Sequence, residues 1–533
     1  MTSHGDIAEP KTPAAAAEAT RARAFAALKT LPPRLADVVF DWAERTPDAT
    51  ALVEGDRRLT YGEAAAAIRD TARWLTDQGL RPGDRLMVVN ENGIALALLL
   101  LAAGTIDVWL ATINARLSEG ELETIRAHSG ARRVIYTVEV SPDAAQHAAH
   151  AGIAEIDVPH LGRIAIGPLN ETTLPEPVDP TGEQVAALIY TSGTTGKPKG
   201  VMLTHRNLLS VGSLSAATRQ MRPQDVVYAV LPMSHVYGLS SVFLCSLTSG
   251  ASLEFMPRFS ARKVLEDLQS GRITCFLGVP AMYARFIELL GTEARLSIPA
   301  LRVLSSGGSP LDPVVKARTE ALFGLPVLNG YGLTEASPTL TGMIWGTRRA
   351  DVSVGPALPG VELRLVGPDG KDAPEGGIGE LWARGPGIMK GYYHAPDLTA
   401  QVLSPDGWLN TGDFARIEPD GAVFIVGRSK ELIIRSGFNV YPVEVEAVLN
   451  AFPGITQSAV VGRPAEAGNE EVVAFLEPAP EVALDLDALK AHVAANLAPY
   501  KHPSDYVVMQ ALPAGATGKI LKNRLAAMAR GDT

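Results

Sequence analysis

Three glycine- and hydroxyl-rich strings stand out in this chain because each directly follows a short apolar run. Ala187-Leu188-Ile189-Tyr190 leads into Thr191-Ser192-Gly193-Thr194-Thr195-Gly196-Lys197-Pro198-Lys199-Gly200. Arg302-Val303-Leu304 leads into Ser305-Ser306-Gly307-Gly308-Ser309-Pro310, and Val327-Leu328 into Asn329-Gly330-Tyr331-Gly332-Leu333-Thr334-Glu335. The first string has the chemistry of a phosphate cradle. Its glycines admit close backbone N–H groups, its hydroxyls add donors, and its lysines add positive charge. It is not the common P-loop, because only Thr194 and Thr195 separate Gly193 from Gly196 and Pro198 follows Lys197. A solvated Gly/Thr turn is the alternative for such a string; the length of this one, directly after a strand, favours the cradle. A Gly-x-Ser-x-Gly nucleophile elbow and a metal-spaced Cys/His cluster are both missing from the sequence.

Loops of this kind need a sheet beneath them, since ligands bind beyond the carboxyl ends of strands in open α/β sheets. From about Leu35 to Arg428 short β-branched runs alternate with helical stretches such as Arg262 to Gln269, Met282 to Leu290 and Pro313 to Phe323. That alternation predicts α/β layers with largely parallel strands. From about Val354 to Val426 the strands shorten and Gly and Pro become frequent, which reads as an antiparallel, barrel-like piece. A smaller unit follows Gly427-Arg428-Ser429-Lys430, with helices near Pro442 to Asn450 and Leu486 to Leu497 and strands near Ser458 to Val461, Val472 to Leu476 and Tyr506 to Met509. The expected plan is a flexible tail over 1–32, a large α/β domain of layered subdomains over 33–429, and a small mobile α+β domain over 430–533.

Composition narrows the class. At 533 residues the chain is long enough for several domains, and 48 Lys+Arg against 58 Asp+Glu gives a net charge of −10. That balance argues against a general nucleic-acid binder. Cys245 and Cys275 both lie in apolar strings, as buried free thiols in a reducing, cytoplasmic setting would. The most apolar stretch, Ile94 to Ile106, is too short to span a bilayer and reads as a buried core helix.

The string Tyr190 to Val201 (YTSGTTGKPKGV) resembles the signature of the adenylate-forming superfamily of acyl-CoA synthetases, luciferases and peptide-synthetase adenylation domains. Further strings follow in that family's order: Ser305 to Pro310, Tyr331 to Glu335, Thr411-Gly412-Asp413, Gly427-Arg428 and Gly518-Lys519. The resemblance runs from about Leu35 to Lys522. It implies ATP and CoA as co-substrates, Mg²⁺ as cofactor, and a reaction in two steps through an acyl-adenylate. Thr191, Ser192, Gly193, Thr194, Thr195, Gly196 and Lys197 would cradle the phosphates, while Glu335, joined by Thr191, would hold the metal. Tyr331 would stack on adenine, with Gly307, Gly308, Ser309, Asn329, Gly330, Gly332 and Thr334 around the nucleotide. Asp413 would take the ribose hydroxyls and Arg428 would reach the sugar or phosphate, an interdomain salt bridge being the alternative for Arg428.

By the same resemblance Lys519 is the catalytic lysine that the small domain delivers to the α-phosphate. Ala514 stands where relatives often carry a basic residue, although Gly518-Lys519 is intact. Lys430 is the hinge, and Ser436, Gly437 and Phe438 would face CoA after rotation, with a plain strand turn as the alternative for Gly437. Glu444 is expected to be structural at a helix start. The acid would enter a pocket built from His235, Val236, Tyr237, Gly238, Gly278 and Ser306, with His235 beside the substrate carboxylate; a satisfied core histidine is the alternative. The segment Ser234 to Leu239 carries no Lys, Arg, Asp or Glu. That absence favours a monocarboxylic acid with an apolar tail, medium- to long-chain fatty acids first and aryl acids of the benzoate or cinnamate type second. Delivery to a carrier protein is a further alternative, a non-catalytic binder the least favoured reading, and a homodimer is compatible with the sequence.

Overall fold

The computed structural model describes residues 13–192, 198–291, 293–435, 438–465, 469–479, 482–515 and 520–532. Two eight-stranded sheets dominate. The first runs in the order Thr339–Gly342, Val327–Gly332, Val303–Ser306, Cys275–Gly278, Val226–Ala229, Ser252–Phe255, Thr50–Glu54, Arg57–Thr60. Its inner strands pair in parallel and its two edge strands are antiparallel. The second runs Gly391–Tyr392, Pro198–Thr204, Val185–Ser192, Trp109–Asn114, Arg85–Asn90, Arg133–Tyr136, Gly162–Ile166, Glu155–Val158, parallel at its centre and antiparallel toward both edges. Helical crossovers give the parallel cores, as the alternating pattern predicts.

One hydrophobic cluster joins the two sheets through the helices between them. It contains Val88, Leu110 and Ile189 from one sheet, Tyr228, Phe276 and Leu304 from the other, and Ile68, Leu98 and Leu208 from helices. The helix Ile94–Thr105 is apolar on every side and buried over nearly its whole length, the expected core helix. Local chemistry sets where the surrounding helices begin. Thr60 and Glu63 form a reciprocal cap at Tyr61–Asp77, and Asp312 caps Pro313–Phe323 with Pro313 in its first turn.

The piece read as barrel-like is a four-stranded antiparallel sheet of Glu362–Val366, Ile378–Arg384, Leu409–Ile417 and Val423–Arg428. The short helical turn Ser429–Glu431 leads on to the C-terminal unit, so Lys430 lies between the two. There Ile455–Pro464, Glu470–Pro478 and Asp505–Val508 make a three-stranded sheet with helices Pro442–Asn450, Leu486–Asn496 and Lys522–Arg530. Alternation along its strands separates two cores: Val460, Val472 and Ala474 on one face, Ala459, Val461 and Val473 on the other.

Two expectations need amendment. Within the span read as a flexible tail, Pro13–Lys29 is an α-helix, and Ala24 is fully buried against Leu214 and Leu358. The strand read as ending at Tyr190, ahead of the glycine- and threonine-rich string, runs on for two more residues. The strand Val185–Ser192 extends through Thr191 and Ser192, then returns antiparallel as Pro198–Thr204, pairing Thr191 with Lys199 and Ser192 with Pro198. Residues 193–197 therefore join two arms of a hairpin. Cys245 and Cys275 are buried free thiols, and no helix among the described residues is long and apolar enough to cross a membrane.

Candidate active site

Parallel register brings the predicted loops together. Gly278 lies opposite Ser306, and Ser306 opposite Asn329, so three adjacent strands end side by side. Gly307 and Gly330 follow immediately. Tyr237 stands against this edge: a Cβ on Gly307 would lie 3.3 Å from its ring. Gly332 is fixed by a closer approach, since a Cβ there would sit 2.0 Å from the Pro338 carbonyl oxygen. Any side chain would push apart the turn that carries Thr334 and Glu335.

Tyr331 and Asp413 meet at the junction of the first large sheet and the four-stranded sheet. The Tyr331 hydroxyl donates to Asp413 Oδ2 at 2.5 Å, and Arg428 Nε lies 3.2 Å from Asp413 Oδ1. Asp413 and Arg428 are direct cross-strand partners. Burial, reinforced by the Asp413 charge, pushes the Tyr331 phenol well above its usual range, so it remains a donor. The turn before Asp413 is pinned as well. The Thr411 hydroxyl donates to the Leu381 carbonyl at 2.7 Å and accepts from the Asp413 amide at 3.1 Å. Asp413 is thus a buried carboxylate held in place, and it retains lone-pair capacity for a vicinal diol.

Glu335 lies in the short helix Thr334–Ala336, where its backbone carbonyl accepts from the Met389 amide at 2.9 Å. Its Oε1 accepts from the Tyr392 hydroxyl at 2.7 Å. The other carboxylate oxygen has no hydrogen-bond partner among the described residues. A half-buried carboxylate with one oxygen anchored and one open fits a hard divalent cation that also binds phosphate oxygens. Lys199 Nζ sits 5.0 Å from the centre of the same Tyr392 ring. Nothing in the sequence marks Tyr392, which reads there as an ordinary aromatic after a glycine.

His235 precedes a π-helix, Tyr237–Leu244. Its Nδ1 accepts from the Tyr237 amide at 3.2 Å, an arrangement that puts the neutral imidazole's proton on Nε2. Gly238 packs so closely on the Leu231–Pro232 backbone that a Cβ would lie 2.2 Å from the Pro232 oxygen. Val236 and Tyr237 are buried beside it. Two further buried hydroxyls of this region, Tyr237 and Ser306, have no hydrogen-bond partner among the described residues. Asn329 is brought to the site, yet its amide donates to the Val352 and Ser353 carbonyls at 3.1 and 3.3 Å. That side chain braces a neighbouring loop.

In the C-terminal unit Phe438 is 54% exposed and stacks on Tyr500 with ring centres 4.7 Å apart. Glu444 starts the helix Pro442–Asn450 and pairs with Lys501 at 2.5 Å. Lys522 joins Glu431 beside the hinge to Glu446, at 3.2 and 2.7 Å. Gly193, Thr194, Thr195, Gly196, Lys197, Ser436, Gly437 and Lys519 lie outside the described residues.

Comparison with known proteins agrees with this arrangement. Residues 39–393 match the AMP-binding enzyme family and residues 444–519 the AMP-binding enzyme C-terminal domain. A feruloyl-CoA synthase from Amycolatopsis is 34% identical, over 91% of this chain and 96% of its own. A sulfoacetate–CoA ligase from Cupriavidus necator is 34% identical, over 92% and 97%. A 4-coumarate–CoA ligase from Oryza sativa is 33% identical, over 92% and 94%. Among solved structures, ATP-bound MatB from Rhodopseudomonas palustris superposes with a TM-score of 0.82 at 30% identity, covering 93% of this chain and 98% of that one. With both halves of the chain matched, it belongs to the AMP-binding enzyme family of adenylate-forming acid–CoA ligases.

Proposed function

We propose that this ligase activates an aryl acid rather than a medium- to long-chain fatty acid, and transfers it to CoA. The observation that carries the choice is the pocket edge. A Cβ on Gly307 or Gly308 would meet the flat Tyr237 ring at 3.3 and 3.8 Å, Gly278 and Gly330 leave the same strand ends without side chains, and Ser305, Asn329 and Thr341 on these strands are polar and buried. A planar ring suits such a slot, whereas a long alkyl chain needs continuous apolar surface. The feruloyl and 4-coumaroyl activities named for relatives support the same order, which reverses the one drawn from sequence. The sulfoacetate ligase among them keeps small polar acids as the second reading.

In this reading the acid's carboxylate attacks the α-phosphorus of ATP, and pyrophosphate leaves as the acyl–phosphate oxygen bond forms. The CoA thiolate then attacks the acyl carbon and AMP departs with the electron pair of the broken C–O bond. His235, with Nδ1 occupied by the Tyr237 amide, presents Nε2–H to the acid's carboxylate. Asp413, aligned by Tyr331 and Arg428, holds the ribose, and the backbone at Gly307 and Gly330 passes close to the nucleotide. Glu335 and Thr191 would hold Mg²⁺, whose charge offsets that of the phosphates. Lys519 would add a cation where negative charge builds at the α-phosphorus. Pyrophosphate release over a panel of fatty, aryl and short polar acids, with and without CoA, tests the proposal. Preference for aryl acids is expected, and preference for chains of eight or more carbons would overturn it.

A further inference from the structure

Arg219 closes the C-terminus of the helix His205–Thr218 and is only 8% exposed. Its Nη1 donates to the Ser241 carbonyl at 3.0 Å and approaches Cys245 Sγ at 3.8 Å. Among the described residues no carboxylate lies within ion-pairing distance of it. A guanidinium has five N–H donors, and one buried with so few acceptors keeps a charge that nothing beside it offsets. Arg132, equally buried, is treated differently: it is paired with Asp84, as the half-buried Arg302 is with Asp225.

A small cavity lies against Arg219, lined by Ser215, Ser305, Gly330, Thr339 and Thr341 among others. It leaves about 20 Å³ for the centres of water-sized groups, room for roughly one or two waters or a ligand group of that size. The cavity backs onto the strand ends Ser305–Ser306 and Asn329–Gly330 that form the acid pocket. Tyr237, whose ring borders Gly307, is close enough for the Arg219 charge to act on its hydroxyl. Neither that hydroxyl nor Ser306 Oγ has a hydrogen-bond partner of good geometry among the described residues. A buried cation therefore adjoins the strand ends that carry Ser305 and Gly330, in a region where the segment Ser234 to Leu239 carries no charge.

We propose that Arg219 is a specificity-determining residue that, with the Tyr237 and Ser306 hydroxyls, receives an oxygen-bearing group at the far end of the acid from the carboxylate being activated. A phenol oxygen, a second carboxylate or a sulfonate all meet that chemistry. The assignment rests on the reading that the acid occupies the slot beside Tyr237. It replaces the expectation of an apolar tail, because the charge absent from Ser234 to Leu239 is supplied by a helix earlier in the chain.

The test is the ratio of kcat/KM within two matched pairs, 4-hydroxycinnamate against cinnamate and succinate against butyrate, followed as pyrophosphate release by the full-length enzyme with Mg-ATP and CoA. The wild type is expected to favour the oxygen-bearing member of at least one pair by about tenfold or more, and Arg219→Met to bring that ratio to within about threefold of unity. Absence of preference in both pairs overturns the proposal without any variant. Equal loss on both members in Arg219→Met, which a purely structural role would give, also overturns it. Should Arg219→Met fail to fold, Arg219→Lys is expected to keep part of the preference, and an unchanged ratio there counts against a fork-specific contact. An Arg219-dependent preference confined to the aliphatic pair supports this assignment and sinks the aryl-acid reading. Aryl turnover with a ratio near one does the reverse.

Discussion

The Tyr331 hydroxyl reaches Asp413 Oδ2 at 2.5 Å although 82 positions separate the two residues in the chain. A strand end of the first large sheet is thereby tied to the four-stranded sheet at the place where a nucleotide's base and sugar would meet. Hydrogen bonds to a charged acceptor are worth about 1.5–3 kcal/mol. Tyr331→Phe keeps the ring and removes that tie, so kcat/KM for ATP is expected to fall roughly ten- to hundredfold. Steady-state kinetics at saturating acid and CoA checks this, and an unchanged value would leave the bond without a role in nucleotide binding.

Glu335 and Tyr392 separate two roles in the proposed metal site. Glu335→Gln removes the charge for Mg²⁺ and is expected to raise the Mg²⁺ concentration for half-maximal activity about tenfold or more. Tyr392→Phe leaves the carboxylate but frees its anchored oxygen, so a smaller shift in the same direction is expected. Mg²⁺ titration of pyrophosphate release at fixed free ATP distinguishes the two, and equal shifts would mean that charge and anchoring cannot be separated at this site.

Lys519→Ala is expected to slow adenylation by about a hundredfold or more, the scale for loss of a preorganised charge at a developing negative centre. Thiolysis of a supplied acyl-adenylate should be spared. The two half-reactions, measured separately, decide the matter: parallel losses argue against one lysine serving only the first step.

His205 is fully buried, and its Nδ1 accepts from the Leu35 amide at 3.1 Å. Burial, with Arg34 nearby, lowers its pKa to about 3. The unfolded chain takes up this proton near the ordinary histidine value of about 6.5, whereas the folded chain resists it. Stability is therefore level above that value and falls as pH drops below it, by about 1.4 kcal/mol per unit from this group. Urea midpoints taken from pH 7.5 to 5 should fall more steeply for the wild type than for His205→Gln. Equal slopes would show that His205 already titrates in the folded chain.

The strand-and-helix order and the buried helix Ile94–Thr105 were legible in sequence. Hydrophobic periodicity acts over a few residues, so the local order of residues carries it. The strings proposed to face the nucleotide were legible as candidates, because glycine, hydroxyl and cation at close spacing state their chemistry before folding. The hairpin return of Pro198–Thr204 was not, since a strand and a loop share the same short apolar flank.

What only the tertiary structure decided is which distant residues share a site. Tyr392 holds Glu335 because the strand Gly391–Tyr392 pairs beside Val201 and Met202. Arg219 reaches the Ser241 carbonyl because its helix packs against the π-helix carrying Tyr237 and Ser241, and the acid pocket is proposed to lie beside it. Neither neighbour follows from spacing along the chain. Strand order and helix packing are set by how the whole core closes, and that closure placed a buried cation beside a pocket whose own segment has none.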